Sequence, residues 1–137
     1  MKTVVYSVLL VLLLIGAGWQ AVHVASNRLD TRIAKFNKDA EDLIQGLQQY
    51  KEFVGAYPLG NNVDVVKSLL GQSDKKVLIL AVRKSDINSK GEVVDPWSTP
   101  MKFYISGDSL LIRSAGPNKA WEDSTVMSSD DLFRSNN

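Results

Sequence analysis

The chain has 137 residues, enough for one domain with a modest core, so a second folded domain is not expected. With 45% hydrophobic and 23% charged residues its composition is that of a globular protein, which excludes wholesale disorder. The net charge of +1 and the lack of a Lys/Arg block argue against nucleic acid as a partner, and the lack of cysteine excludes disulfides and thiol chemistry.

The N-terminal segment is uncharged from residue 3 to residue 27. Read as a helix, residues 4–25 span roughly 33 Å, about one hydrocarbon thickness, with Trp19 toward one interface. This predicts a single-pass membrane anchor over residues 1–26 and a soluble domain over residues 27–137. The alternative is a cleaved signal peptide, which would use Lys2 and the small residues at 16–18. Both interpretations imply export.

Residues 27–54 have apolar side chains at three- and four-residue steps, which predicts an amphipathic helix. No helix breaker separates it from the membrane segment, so we expect one long helix of about fifty residues, ending near Gly55 because Pro58 follows. Gly46 lies in mid-helix and is expected where another element packs closely.

The connector, residues 55–75, contains a short predicted helix over residues 63–70, capped by Asn61 or Asn62 and ended by Gly71. The sheet and a C-terminal loop follow over residues 76–137. Apolar and β-branched residues at 75–83 predict a first strand, and the polar residues 85–92 predict an exposed loop.

Residues 101–106 and 109–113 alternate around Gly107-Asp108, which predicts a β-hairpin. The tail beyond Ser114 is rich in Gly, Pro, Asn, Ser and Asp, and it is predicted as a long loop with a few apolar anchors that include Val126 and Met127. The predicted fold class is α+β, a membrane helix that continues into a long amphipathic helix packed on a small antiparallel sheet.

Four local motifs resemble those of the major pseudopilins of bacterial type II secretion systems, within the type IV pilin-like superfamily. G-A-Y-P at residues 55–58 resembles the G-x-Y-P that ends their long helix, and D-P-W-S-T-P-M-K-F-Y at residues 95–104 resembles D-P-W-G-x-P-Y-x-Y. Residues 112–118 resemble I-x-S-x-G-P-D, and residues 129–132 resemble the terminal T-x-D-D-I. Trp97 of the second motif is predicted to fill the space between sheet and helix.

The resemblance implies a non-enzymatic structural or assembly subunit, or an accessory, of a type II secretion or type IV pilus-like system. Its partners would be other pilin-like subunits or secretion-machine components, and it would be anchored in the inner membrane with the domain in the periplasm. The basic residues after the anchor would, by the positive-inside rule alone, place the domain in the cytoplasm. The leader glycine, the phenylalanine and the early glutamate of pilin-like precursors have no counterpart here, so we expect the N-terminus to be retained.

The same resemblance implies a calcium site in the C-terminal loop. The matching positions are Asn118, Asp130 and Asp131, and further oxygens are available from Glu122, Asp123 and Ser124. The alternative is a solvated acidic loop without a metal.

Catalysis is not expected. The only histidine, His23, falls inside the membrane segment, and the sequence has no Gly-rich phosphate loop, zinc-protease motif or EF-hand pattern. No small-molecule substrate is indicated. The alternative function is a membrane-anchored or secreted binding module of the periplasm or cell surface that shares the pilin-like fold without a role in a secretion machine.

Overall fold

The computed structural model describes residues 2–123 and 129–136. The chain divides into two compact units, Met1–Ala34 and Lys35–Asn137. The elements run in the order α1 (Lys2–Val54), α2 (Asn62–Leu69), a 3₁₀ turn (Lys84–Asp86), β1 (Lys102–Ser106), β2 (Ser109–Ser114) and β3 (Leu132–Ser135). The protein is α+β, with a long helix packed on a three-stranded antiparallel sheet, which confirms the coarse fold prediction.

The helix α1 is continuous over 53 residues, so the prediction of one long helix is confirmed. It ends at Val54, where Gly55 adopts a φ of +92° and its N–H donates to the carbonyl of Lys51 at 2.7 Å. A left-handed residue at this position is most easily a glycine, and Pro58 shortly afterwards excludes a continuation of the helix.

The predicted anchor over residues 4–25 lies mostly outside the residues whose side chains are described, and Trp19 is among those outside. Among the described residues, no helix offers a stretch both long enough and apolar enough to cross a membrane. In the first unit, the side chains of residues 22–32 are all exposed.

The core of the second unit forms between α1 and the sheet. Along α1 the buried residues follow the predicted periodicity, and they are Phe36, Ala40, Leu43, Ile44, Leu47 and Tyr50. From β2, Leu110 and Ile112 are buried on the facing side. Phe53, which belongs to the same apolar pattern in the sequence, is instead 74% exposed, because at about 3.6 residues per turn it lies to one side of the buried stripe, whereas Val54 is partly buried.

The strand predicted over residues 75–83 is wrong. This segment crosses α1 as an irregular loop whose one bridge pairs Leu70 with Leu78. Its chain turns at Leu80, where the N–H of Ala81 donates to the carbonyl of Ile79 at 2.9 Å. Apolar residues of this segment, among them Ile79 and Ala81, instead pack on α1.

Gly46 lies where this loop crosses α1. A Cβ atom at Gly46 would be 2.2 Å from the Cβ of Ala81 and 3.2 Å from a methyl of Ile79. The expectation that another element packs closely at this glycine is therefore confirmed.

The connector helix α2 is present, one residue earlier than predicted. Asn61 is its N-cap and forms a capping box with Asp64, in which each side chain accepts a hydrogen bond from the other residue's backbone N–H. The side chain of Asn62 connects α2 to the segment before β1. It donates to the carbonyls of Val93 and Met101 and accepts from the N–H of Val93, at 2.7–3.0 Å.

The hairpin of β1 and β2 is confirmed, with Gly107 at a φ of +57° in its two-residue turn. The third strand, β3, lies in the tail that the sequence predicts to be a loop throughout, so that prediction is wrong for these residues. Its four residues pair antiparallel with β2, which makes the sheet order β1-β2-β3. The loop that separates β2 from β3 is described except at residues 124–128, so the predicted anchors Val126 and Met127 lie outside the described residues.

The D-P-W turn is buried and fixes one side of the core. Trp97 is 5% exposed, which confirms its predicted role as a core residue. Asp95 is 3% exposed; one of its carboxylate oxygens accepts the N–H groups of Trp97 and Thr99, both at 2.9 Å, and the other accepts the hydroxyl of Ser114 at 2.6 Å. This carboxylate therefore joins the turn to the end of β2.

Candidate metal centre

Three carboxylates meet at the end of the sheet where β2 finishes and β3 begins. Ser114 at the end of β2 pairs with Leu132 at the start of β3, so the residues just outside these strands are close together. Asp130 and Asp131 come directly before β3, and Glu122 reaches them from the loop after β2. One oxygen of each carboxylate lies within 4.8 Å of the others. We refer to these three residues as the acidic cluster.

Gly116 lets the loop approach the cluster. It has a φ of +66°, and a Cβ atom there would lie 2.2 Å from the carbonyl oxygen of Asp130. Both the left-handed backbone and the lack of space require glycine. The glycine of the third motif therefore brings the loop against the acidic residues.

Asn118 is in contact with two members of the cluster, as a donor. Its backbone N–H donates to Asp130 Oδ2 at 3.1 Å, and its side-chain Nδ2 donates to Glu122 Oε1 at 3.0 Å. Its own Oδ1 accepts the N–H of Ala120 at 2.7 Å. The hydrogen bonds of Asn118 therefore order the carboxylates, while its side-chain oxygen is engaged by the loop.

Backbone groups inside the loop also hold the carboxylates. The N–H of Asp130 donates to Glu122 Oε2 at 2.9 Å, and the N–H of Glu122 points to Asp131 Oδ2 at 3.4 Å. Each acidic residue is thus oriented by another segment of the cluster.

The guanidinium of Arg113 lies beside the acidic cluster. The Arg113 guanidinium forms an ion pair with Asp131 Oδ2 and donates to the carbonyl of Glu122. Arg113 lies 5.6 Å from the centre of the Trp121 ring, and the ammonium of Lys102 lies 4.0 Å from it. The strand register places Lys102 beside Arg113, and the ring of Trp121 lies over both cations.

Two carboxylate oxygens of the cluster are buried without a hydrogen-bond partner among the described residues. They are Asp130 Oδ1 and Asp131 Oδ1, and the side chain of Asp131 is only 1% exposed. A buried oxyanion without a partner is unfavourable. Ca²⁺ takes six to eight oxygen ligands, and the three carboxylates of the acidic cluster offer oxygens of the kind it binds, so they could supply part of its ligand shell.

The structure places most of the predicted calcium residues together. Glu122, Asp130 and Asp131 are clustered and Asn118 donates hydrogen bonds to two of them, whereas Asp123 is exposed and is not one of the three clustered carboxylates. Ser124 lies outside the described residues. Arg113 is not among the residues predicted for this site; it lies in β2, two residues after Leu111 and therefore on the same face of the sheet.

His23, for which no catalytic role is expected, is exposed on α1.

Comparison of the chain with models of protein families, with curated proteins and with solved structures finds no match.

Proposed function

We propose that the protein is a non-enzymatic, pseudopilin-like assembly subunit of a type II secretion or type IV pilus-like system. The observation that supports this most directly is the exposed apolar surface of α1 within the first unit. Val22, Val24 and Leu29 are 70%, 50% and 40% exposed. Val22 and Leu29 are seven residues apart and so lie on the same helix face, where a like helix could cover Val22 within the proposed anchor and Leu29 just beyond it.

The four pseudopilin-like motifs support the same function. The turn around Trp97 and the glycine at position 116 each have a defined structural role, as described above. On this proposal residues 4–25 anchor the chain in the inner membrane, and the domain is displayed in the periplasm for contacts with like subunits or with other machine components. An active alkaline phosphatase fused to the C-terminus would support this topology, and an inactive one would contradict it.

We also propose that the acidic cluster holds Ca²⁺ as a structural ion. Asp130 and Asp131 would provide the two buried oxygens that lack partners among the described residues, and Glu122 would provide a third carboxylate. When bound, calcium would supply positive charge and bring its ligands together. Asn118 orients the carboxylates through its donated hydrogen bonds.

Disulfide crosslinking in membranes tests the assembly function, since the natural chain has no cysteine. The full-length Val22→Cys variant should form dimers and larger species under mild oxidation. Leu59→Cys is the matched control, because Leu59 is 87% exposed but lies on the connector. A monomer at both positions would contradict the proposal and would favour a lone binding module.

A further inference from the structure

Two leucines project from the loop that crosses α1. Leu80 is 90% exposed and Leu78 is 60% exposed, in a segment that also contains the buried Ile79. We call residues 75–84 the leucine loop. Exposed leucines so close together are unfavourable in water unless another surface covers them.

The rest of the loop holds these leucines outward. Ile79 is 6% exposed, and its N–H donates to the carbonyl of Leu69 at 2.7 Å. Ala81 packs against Gly46 of α1. Because both neighbours of Leu80 are fixed on the domain and the chain turns at this residue, its side chain is presented at the apex of a convex loop.

Basic residues flank the leucines on both sides. Lys75 and Lys76 precede them, Arg83 and Lys84 follow, and all four are exposed. In the part of the chain that the structure describes, none of the four takes part in an ion pair. The nearby acidic residues are the exposed Asp74 and also Asp86, which pairs with Lys35 at 3.1 Å.

We propose that the leucine loop binds an anionic lipid surface. Lipid phosphates would attract the four cations, while Leu78 and Leu80 enter the boundary between headgroups and acyl chains. An anionic bilayer presents many phosphates over a continuous surface, so it can pair with the four cations whatever their exact spacing, whereas a protein partner would need an acidic residue opposite each of them. Addition of an acidic peptide as a strand fits less well, because the turn at Leu80 interrupts the edge to which such a strand would pair. The proposal is independent of the proposed function.

Site-specific fluorescence on the full-length chain tests the proposal. The Leu80→Cys variant carries an environment-sensitive probe, and the Leu59→Cys variant carries the same probe at a leucine of nearly equal exposure, 87% against 90%. Both proteins are reconstituted into phosphatidylcholine vesicles with or without phosphatidylglycerol. Both retain the apolar N-terminal segment, so its own association with lipid affects the two equally.

We expect a blue shift and a several-fold gain in emission for the probe at position 80, only with phosphatidylglycerol and reversed by salt. Each cation near an anionic surface contributes about fivefold in affinity. Adding Lys75→Gln and Lys76→Gln should therefore raise the phosphatidylglycerol content needed for half of the shift.

Three results would overturn the proposal. An equal shift without phosphatidylglycerol would remove the role of charge, and an equal shift at position 59 would remove the role of this loop. A shift produced by soluble polyglutamate but not by vesicles would identify an acidic protein as the partner instead.

Discussion

The close crossing at Gly46 allows a quantitative test of how the domain is packed. In a solvent-exposed helix, replacing glycine by alanine stabilises the protein by about 1 kcal/mol. Here the new Cβ would lie 2.2 Å from the Cβ of Ala81, although carbon atoms pack at roughly 3.5–4 Å. A methyl carbon cannot rotate out of the way, so the backbone at Ala81 must move by more than about 1 Å.

The expected result is a net loss of stability. Overpacking of a core costs about 1–3 kcal/mol and sometimes more, and the main chain of the crossing segment is involved here. Because the main chain must move, we take the upper end of that range, about 3 kcal/mol; after the gain in helix propensity of about 1 kcal/mol is subtracted, Gly46→Ala should lower the free energy of unfolding by about 2 kcal/mol. That change corresponds to a fall of about 8 °C in the melting midpoint.

A double-mutant cycle separates this clash from other effects. Ala81→Gly alone should destabilise by up to about 1 kcal/mol, because the flexibility of the unfolded chain increases. Combined with Gly46→Ala, it removes the opposing methyl and should restore most of the stability lost by the Gly46→Ala variant. Urea unfolding of the full-length variants, followed by tryptophan fluorescence, measures all four corners. Gln45→Ala, an exposed neighbour on the same helix, is the control with little expected change.

Two outcomes would refute this reasoning. Higher stability of Gly46→Ala would show that helix propensity dominates and that the crossing segment adapts without cost. Strictly additive effects of Gly46→Ala and Ala81→Gly would show that the two residues do not interact.

Three further predictions follow from the core, the acidic cluster and the hairpin. Trp97→Ala should lower the free energy of unfolding by roughly 3–5 kcal/mol in urea titrations, whereas a loss under about 1 kcal/mol would contradict its core placement. If Ca²⁺ binds, calcium at 100 times Kd should stabilise the protein by about 2.7 kcal/mol in thermal melts, and Asp130→Asn with Asp131→Asn should abolish this gain; equal melts in calcium and chelator would exclude the site. In the hairpin turn, Asp108 accepts a hydrogen bond from the ammonium of Lys51 at 2.5 Å, which lowers the pKa of Asp108 from 3.8 and raises the pKa of Lys51 from 10.5. The pair therefore stabilises the fold between these two pH values, and its effect is lost as the pH falls below the first or rises above the second. Asp108→Asn should remove that small pH dependence from pH-resolved melts, and an unchanged profile would contradict the assignment.

Local sequence signals predicted the parts of the fold that neighbouring residues determine. The hairpin depends on Gly107 and its flanking alternation, and the end of α1 depends on Gly55 and Pro58. Each of these features is set by backbone preferences within a few residues. The left-handed φ of +69° at Ser98 gives a physical reason why the pseudopilin motif has glycine at this position.

Features that depend on distant partners were not predictable in the same way. The segment 75–83 has the composition of a strand, but it becomes one only if a neighbouring strand is available, and α1 lies beneath it instead. The strand β3 has four residues, and its first residue, Leu132, pairs with Ser114, eighteen positions earlier. So short a strand carries little periodic signal of its own, and the pairing with β2 determines it.

The acidic cluster was predictable in part, because it depends both on local motifs and on contacts between distant segments. The residue types and motif order pointed to Asp130 and Asp131, but they did not show that one oxygen of each would be buried without a partner in the part of the chain that the structure describes. They also could not show that Arg113 pairs with Asp131, since that contact depends on strand register. Three carboxylates and one guanidinium give the site a local net charge of −2, the sum of three negative charges and one positive charge. One divalent cation would neutralise that charge, and Asn118, as a neutral donor, leaves the balance unchanged where an aspartate would add a further negative charge.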